Sequence, residues 1–307
     1  MLAYAVYQLG AFLAQRFRLP TARRGAAVVG KLSCAFQRRN RRHLYRNLRV
    51  AFGDKLSWRE LRSLRLRIYA NFGVFVVDFL RFPEFTVENM DEWMHPESAE
   101  RFRDFRRRAE RGEPTIFFTA HIGNWELGAA AAAMLGCQMT VLADEHPSRH
   151  VTAFFDGRRE SKGLAVVPVT SFHRCFRALK NGKLVAIVGD RAVTGHGIER
   201  PFLGAPATVP IGHALLARRL GATIIPSFFV MQDDGRYELL VEEPIVPRVT
   251  DDEEADVADC VDRCLRVAEK YIRRYPDQWY VFRPMWHAPW APGTESAAES
   301  APVPGKP

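Results

Sequence analysis

Between Arg16 and Arg49 the chain carries no acidic residue, and before Arg16 it carries no charge of either sign. The first absence leaves a run of arginines without local counter-ions, the footprint of a surface that attracts nucleic acid, anionic lipid or an acidic partner protein. The second removes the basic leader of a cleaved secretion signal, and no small-residue cleavage site follows directly. The uncharged run is also too short to span a bilayer core of about 30 Å, which needs roughly 20 residues. A helix lying in the membrane interface, followed by arginines that meet anionic headgroups, fits these features together. The alternative is the first core helix of a soluble domain.

Cysteine is scarce and scattered. Cys34, Cys137, Cys175, Cys260 and Cys264 make an odd set in which only the last two lie close, with no second metal-spaced pair. The expectation is reduced thiols in the cytosol and no metal site. There is no G-x-S-x-G elbow, so a covalent serine intermediate is not implied. "GAAVVGKL", residues 25 to 32, falls short of a phosphate-binding P-loop, because Leu32 stands where Ser or Thr must hold Mg²⁺ and no strand precedes it. "QRRNRRHLYRNLR", residues 37 to 49, belongs to a helical segment beside the apolar N-terminus and has no aromatic stacking platform, which argues against nucleic acid.

What is present is enough for a full core: 307 residues, 47% hydrophobic, with a net charge of +9. Residues 1 to 85 read as helices, and Ser57 with Glu60 three positions on predicts a capping box. From about 114, short apolar runs alternate with helical ones. "TIFFTA", "MTVLAD", "LAVVPV", "KLVAIVG", "ATIIPSFFV" and "YELLVEEPIV" are strand candidates, with "WELGAAAAAML", "SFHRCFRALKNG" and "IGHALLARRLG" as helices between them. The pattern predicts an α/β fold, a mostly parallel central sheet flanked by helices. "DDEEADVADCVDRCLRVAEKYIRRYP" reads as a late helix, acidic at its start and basic at its end. The expected organisation is a helical membrane-associated portion over 1–85, an α/β core over 86–290 and a disordered tail over 291–307.

The stretch "TIFFTAHIGNWELG" concentrates the chemistry. Five residues separate His121 from Glu126, an interval that a continuous helix would turn onto different faces. A strand ending at His121, a turn at Gly123 and an N-cap at Asn124 remove the difficulty, bringing a strand-end histidine and a first-turn glutamate to the carboxyl edge of the sheet, where ligands bind. The pair then reads as a general base with its orienting acid, or as a hydrogen-bonded loop histidine with an unrelated neighbour.

"HIGNWE" resembles the H-x4-D/E block of the glycerolipid acyltransferase superfamily, most closely the branch that acylates lipid A and the mannosylated phosphatidylinositols of bacteria. "GDRAVTGHGIERPFLGAPATVPIGHALLARRLGATIIPSFF" (189–228), "YPDQWYVFRPMW" (275–286) and, in the helical part, "RRHLYRNLRVAFG" with "ANFGVFVVDFLRF" resemble further regions of that branch, in the same order. The second region departs from a frequent D-x-D in reading Asp190-Arg191-Ala192, and the strand after "IP" lacks a frequent arginine.

The resemblance implies transfer of a fatty acyl group from a thioester, on acyl carrier protein or CoA, to a hydroxyl of a glycolipid such as a lipid A precursor, with a phosphatidylinositol mannoside or another lysolipid as the alternative acceptor. A thioesterase or a non-catalytic lipid-binding protein on the same fold are the competing classes. It implies no cofactor, no metal and no nucleic acid, and a place on the cytoplasmic face of the cell membrane. His121 and Glu126 would be catalytic. Asn124, Arg159, Asp190 and Arg191 would contact substrate, the backbone amides near Asn124 and Trp125 serving as oxyanion donors. Arg159 reads equally as an exposed member of a basic helix, and Trp279, Phe282 and Trp286 read as packing at the domain's end.

Overall fold

A computed structural model describes residues 2–192 and 197–286 of the chain; the expected disordered tail lies outside the described residues. The N-terminal part forms α1 (Leu2–Gln15), α2 (Leu19–Phe36), α3 (Arg38–Phe52) and α4 (Trp58–Leu80). The capping box at the start of α4 is formed: Glu60 N–H donates to Ser57 Oγ at 3.4 Å, and Ser57 N–H donates to the Glu60 carboxylate at 2.7 Å. No helix among the described residues is long and apolar enough to cross a membrane. Both α1 and α2 nonetheless keep large apolar side chains in solvent, Val6, Leu9 and Phe12 on the first, Val29, Leu32 and Phe36 on the second, with Phe36 85% exposed.

The opposite side of α2 packs on α4 without an intervening layer of side chains. A Cβ added to Gly30 would lie 2.2 Å from the Tyr69 carbonyl oxygen, and one added to Gly73 would lie 2.3 Å from that of Ala26. Two backbones in direct contact need glycine at the crossing.

The rest of the described chain builds α5 (Pro96–Glu110), β1 (Thr115–Thr119), α6 (Trp125–Met134), β2 (Met139–Ala143), α7 (Arg149–Glu160), β3 (Ala165–Pro168), α8 (His173–Lys180) and β4 (Leu184–Val188). After them come β5 (Ile198–Phe202), β6 (Ala205–Val209), α9 (Gly212–Leu220), β7 (Thr223–Met231), β8 (Tyr237–Val241) and α10 (Glu253–Arg274). All six strand candidates form one sheet in the order β3-β2-β4-β1-β7-β8, parallel except for the antiparallel edge strand β8. Side chains alternate across it. Ile116, Phe118, Ile224 and Phe228 enter the core under α9 and α10, while Phe117 and Phe229 enter the core under α5 and α6.

The antiparallel hairpin β5–β6 goes beyond the expected elements. Its strands pair Pro201 with Pro206, and proline within a run argues against a strand. Its turn holds Leu203 and Gly204 at φ 51° and 96°, so the chain reverses in two residues. The hairpin stands apart from the main sheet, where a missing ladder donor is tolerated.

The α2–α4 crossing gives a direct prediction. Gly30→Ala or Gly73→Ala should destabilise the protein by about 1–3 kcal/mol, because backbone must move to admit the methyl group. Gly25→Ala on the same helix, where nothing lies near, is the control. Thermal unfolding that ranks all three alike would show that the helices do not cross so closely.

Candidate active site

The strand register explains the site. β1 and β4 are parallel neighbours with Thr119 opposite Val188, so two residues further on His121 faces Asp190 across the carboxyl edge of the sheet. Gly189 N–H donates to Thr119 O at 2.8 Å and extends the pairing to the brink. His121 Nδ1 lies 2.6 Å from Asp190 Oδ1, and the His121 backbone N–H donates to Asp190 Oδ2 at 3.1 Å. The indole of Trp279 donates to the same oxygen at 3.2 Å. Asp190 is wholly buried, whereas the His121 side chain keeps 18% of its surface in solvent. Burial works to raise the Asp190 carboxyl. The imidazole's charge and the hydrogen bonds from His121 and Trp279 outweigh it and hold the acid below the usual carboxylate range.

This corrects the pairing expected from the H-x4-E spacing. Glu126 does not orient His121: both its oxygens are held by Arg159, Nε at 3.0 Å and Nη2 at 2.7 Å. Arg159 also meets Asp156 at 2.9 Å. It is therefore neither an exposed basic residue nor an open phosphate ligand, since all three of its nitrogens are taken. Burial opposes the Arg159 charge, but Glu126 and Asp156 more than restore it and hold the guanidinium above its ordinary range. The link ties α6 to α7 beside the histidine.

Asn124 is likewise redirected. Gly123 turns the chain at φ 65°, and a Cβ there would strike the Phe229 carbonyl at 2.1 Å. Asn124 is fully buried; its Oδ1 accepts from Leu127 N–H at 3.0 Å as the helix cap, and Nδ2 reaches the Tyr237 hydroxyl at 3.4 Å. Its backbone N–H is bound to Phe229 O at 2.7 Å, which removes it as an oxyanion donor. The N-cap expectation is met, and the Asn124 side chain is committed to the cap and to Tyr237. Arg191 stands where expected, directly after Asp190 at the sheet edge.

The C-terminal segment has a larger part than packing. Tyr280 N–H donates to His121 O at 2.8 Å, Gly123 N–H to Gln278 O at 3.0 Å, and the Gln278 amide closes both backbone groups of Met231 at 2.9 and 2.7 Å. Trp279, expected from the sequence to pack the domain's end, is instead a donor to the buried acid, and Gln278 had no signal beyond its place in "YPDQWYVFRPMW".

Beside Trp125, whose ring meets His121 edge-on at 5.2 Å between centroids, a small apolar cleft opens between the sheet and the helices α5 and α6. Phe102, Phe117, Met139 and Phe229 form its apolar walls, and Gly128, Ala129 and Ala132 line it along α6. No cluster that would hold a metal ion is found among the described residues.

Comparison with known proteins matches residues 1–288 to the family model described as bacterial lipid A biosynthesis acyltransferase. A phosphatidylinositol mannoside acyltransferase of Mycobacterium tuberculosis is 27% identical over 183 residues, 58% of this chain and 56% of that protein. One from Mycolicibacterium smegmatis is 23% identical over 184 residues, 58% of this chain and 59% of that protein. The chain thus spans little more than half the length of these curated relatives.

The Asp190 environment fixes a sign for pH dependence. A carboxyl held below its ordinary range contributes stability that is present above about pH 4 and is lost as pH falls through its native value. Asp190→Asn should therefore be less stable than the parent at neutral pH, and the gap should narrow below about pH 4. Denaturant unfolding across that range checks it; a gap independent of pH would mean that the negative charge is not what the site holds.

Proposed function

The chain belongs to the bacterial lipid A biosynthesis acyltransferase family, and on that footing we propose that it transfers a fatty acyl group from a thioester to a hydroxyl of a glycolipid. The observation that carries this reading is the His121–Asp190 pair, whose imidazole meets Trp125, a residue of the wall of an apolar cleft. An ionised Asp190 accepts from Nδ1–H and leaves Nε2 as the nitrogen with the free lone pair. Nε2 takes the proton of the acceptor hydroxyl as its oxygen attacks the thioester carbonyl. The C–S bond then breaks, and the leaving sulfur takes the proton back from the imidazolium. The buried carboxylate stabilises the charged ring between these steps. The negative oxygen formed on the carbonyl falls to the start of α6, where the amides of Trp125 and Glu126 and the helix dipole provide positive potential.

The acyl chain leaves water for the cleft, gaining about 0.8 kcal/mol per CH₂. Glu126 and Arg159 act here as a buried strut between α6 and α7, not as reacting groups. The names of the relatives favour a phosphatidylinositol mannoside over a lipid A precursor as acceptor. The exposed apolar faces of α1 and α2 and the arginine-rich sequence after them support attachment to an anionic membrane surface, with the phosphates of CoA or an acidic carrier protein as suitable donors.

Transfer assays with a thioester donor and glycolipid acceptors test the mechanism. His121→Ala should abolish turnover, and Asp190→Asn should lower kcat by about 10²–10⁴-fold per folded molecule. Glu126→Gln should act mainly on stability, costing about 1–3 kcal/mol, because the Arg159 guanidinium keeps Asp156 but loses its bidentate carboxylate partner. Near-normal kcat in folded Asp190→Asn, or thioester hydrolysis that no acceptor diverts, would overturn the reading.

A second expectation concerns chain length. Ala129→Val and Ala132→Val place methyl groups in the cleft and should shift preference to shorter acyl donors while turnover continues. Competition between donors of different length, read by mass spectrometry of the product, decides it. An unchanged profile in both variants would place the acyl chain elsewhere.

A further inference from the structure

Trp125 has neighbours of two kinds. On one side it belongs to the wall of the apolar cleft, and on the other it begins a row of aromatic rings contributed by α4 and the C-terminal segment. Its ring lies 4.5 Å from that of Phe75, centroid to centroid. Phe75 stands 5.7 Å from Phe72 with the ring planes 11° apart, and Phe72 meets Phe282 at 4.9 Å. Tyr280, whose backbone N–H holds the His121 carbonyl, backs the row at 5.7 Å from Phe75 and 5.5 Å from Phe72. Tyr280 is buried, but Trp125, Phe75, Phe72 and Phe282 each keep part of their surface in solvent. The row starts at His121, whose ring lies 5.2 Å from that of Trp125.

Polar groups stand alongside. Arg67, Asn71 and Phe75 follow one another at four-residue steps and so share a face of α4. Asn71 Nδ2 donates to the Asp277 carbonyl at 3.0 Å, and Arg67 Nε lies 3.6 Å from the Asp277 carboxylate, both charged side chains reaching solvent. Exposed ring faces beside a few hydrogen-bonding groups suit a pyranose sugar. Its C–H bonds, polarised by the ring and hydroxyl oxygens, settle on the negative face of an aromatic ring, and its hydroxyls reach the carboxylate and guanidinium. The composition separates this surface from the exposed apolar faces of α1 and α2. Those are chiefly aliphatic, with Val6, Leu9, Leu13, Val28, Val29 and Leu32, whereas the row beside His121 is aromatic throughout.

Position assigns the occupant. With the acyl chain in the cleft on one side of Trp125, the acceptor brings its hydroxyl to His121 from the other side, over Phe75 and Phe72. We propose that Trp125, Phe75, Phe72 and Phe282 form a platform on which a sugar ring of the glycolipid acceptor lies while its hydroxyl meets Nε2 of His121. This rests on the acyl-transfer reading and sharpens it: the platform selects an acceptor by its sugar and not by its lipid tails.

The test uses the full chain with phosphatidylinositol mannoside, a lipid A precursor, and the deacylated, water-soluble headgroup of each. Phe75→Leu and Phe72→Leu keep apolar bulk and remove a ring face; Phe75→Tyr and Phe72→Tyr keep the face and are the controls. Each leucine variant should raise the acceptor KM by about 3- to 10-fold, with the donor KM unchanged and a smaller effect on kcat. The tyrosine variants should match the parent. Saturation-transfer NMR on His121→Ala, which cannot turn over, should show the sugar protons of at least one headgroup held against the protein. Adding either leucine substitution should weaken that signal. If a headgroup binds and a leucine variant releases it, yet the parent chain transfers nothing, the platform stands and the transfer reading falls. If transfer proceeds with the acceptor KM unmoved in both leucine variants, the rings only pack the fold and the proposal is wrong. It is equally wrong if the intact glycolipid loses affinity while its headgroup does not, because the row then holds acyl tails.

Discussion

A carboxylate with no access to water must have its charge answered from within, and Asp190 is the group around which this sheet edge is arranged. Its three donors come from two distant parts of the chain: the backbone and ring of His121 after β1, and the indole of Trp279 beyond α10. Removing any one would leave a buried negative charge short of a partner, a loss larger than the net worth of the bond itself. The parallel register of β1 and β4 brings the first two donors into place, and the C-terminal segment supplies the third. One buried acid thus couples the central strand, its neighbour and the end of the fold.

A second buried pair works at the other end of the same loop. Arg23 from α2 holds Asp78 on α4, the Tyr237 hydroxyl donates to that carboxylate at 2.8 Å, and Tyr237 in turn meets the Asn124 side chain that caps α6. Burial alone would weaken the Arg23 charge, but Asp78 outweighs it, and the guanidinium also lies over the rings of Trp93 and Tyr237. Together with the Glu126–Arg159 link, this chain of polar contacts fixes where α6 begins. The position of the helix start decides where its free amides point, so packing of the N-terminal helices and chemistry at the sheet edge are not separable.

Much of this was legible in the residues. The alternation of apolar runs and helical stretches located all six strands of the main sheet, and Gly123 with Asn124 announced the turn and the cap that form. The identity of the histidine's partner was not legible from spacing. Glu126 is near His121 in sequence and was the natural choice, yet a first-turn side chain leaves a helix sideways, and here it finds a guanidinium on α7. Asp190 lies sixty-nine positions away, and only the pairing of β1 with β4 makes it a neighbour. Strand order is a property of the assembled sheet, which local patterning does not encode. The β5–β6 hairpin was hidden for a different reason: Pro201 and Pro206 are strand breakers except where a strand is free on one side.

The dependence of the loop on Gln278, Trp279 and Tyr280 has a consequence in time. A ribosome releases the chain from its N-terminal end, so α1 and α2 emerge long before the segment that closes on His121. Until nearly all of the described sequence has been made, Asp190 lacks its indole donor, Gly123 lacks its backbone acceptor, and the His121 carbonyl is unanswered. The nascent protein can therefore complete its helices and most of its sheet while the histidine is still unset, and only the arrival of the Gln278–Tyr280 segment arms it.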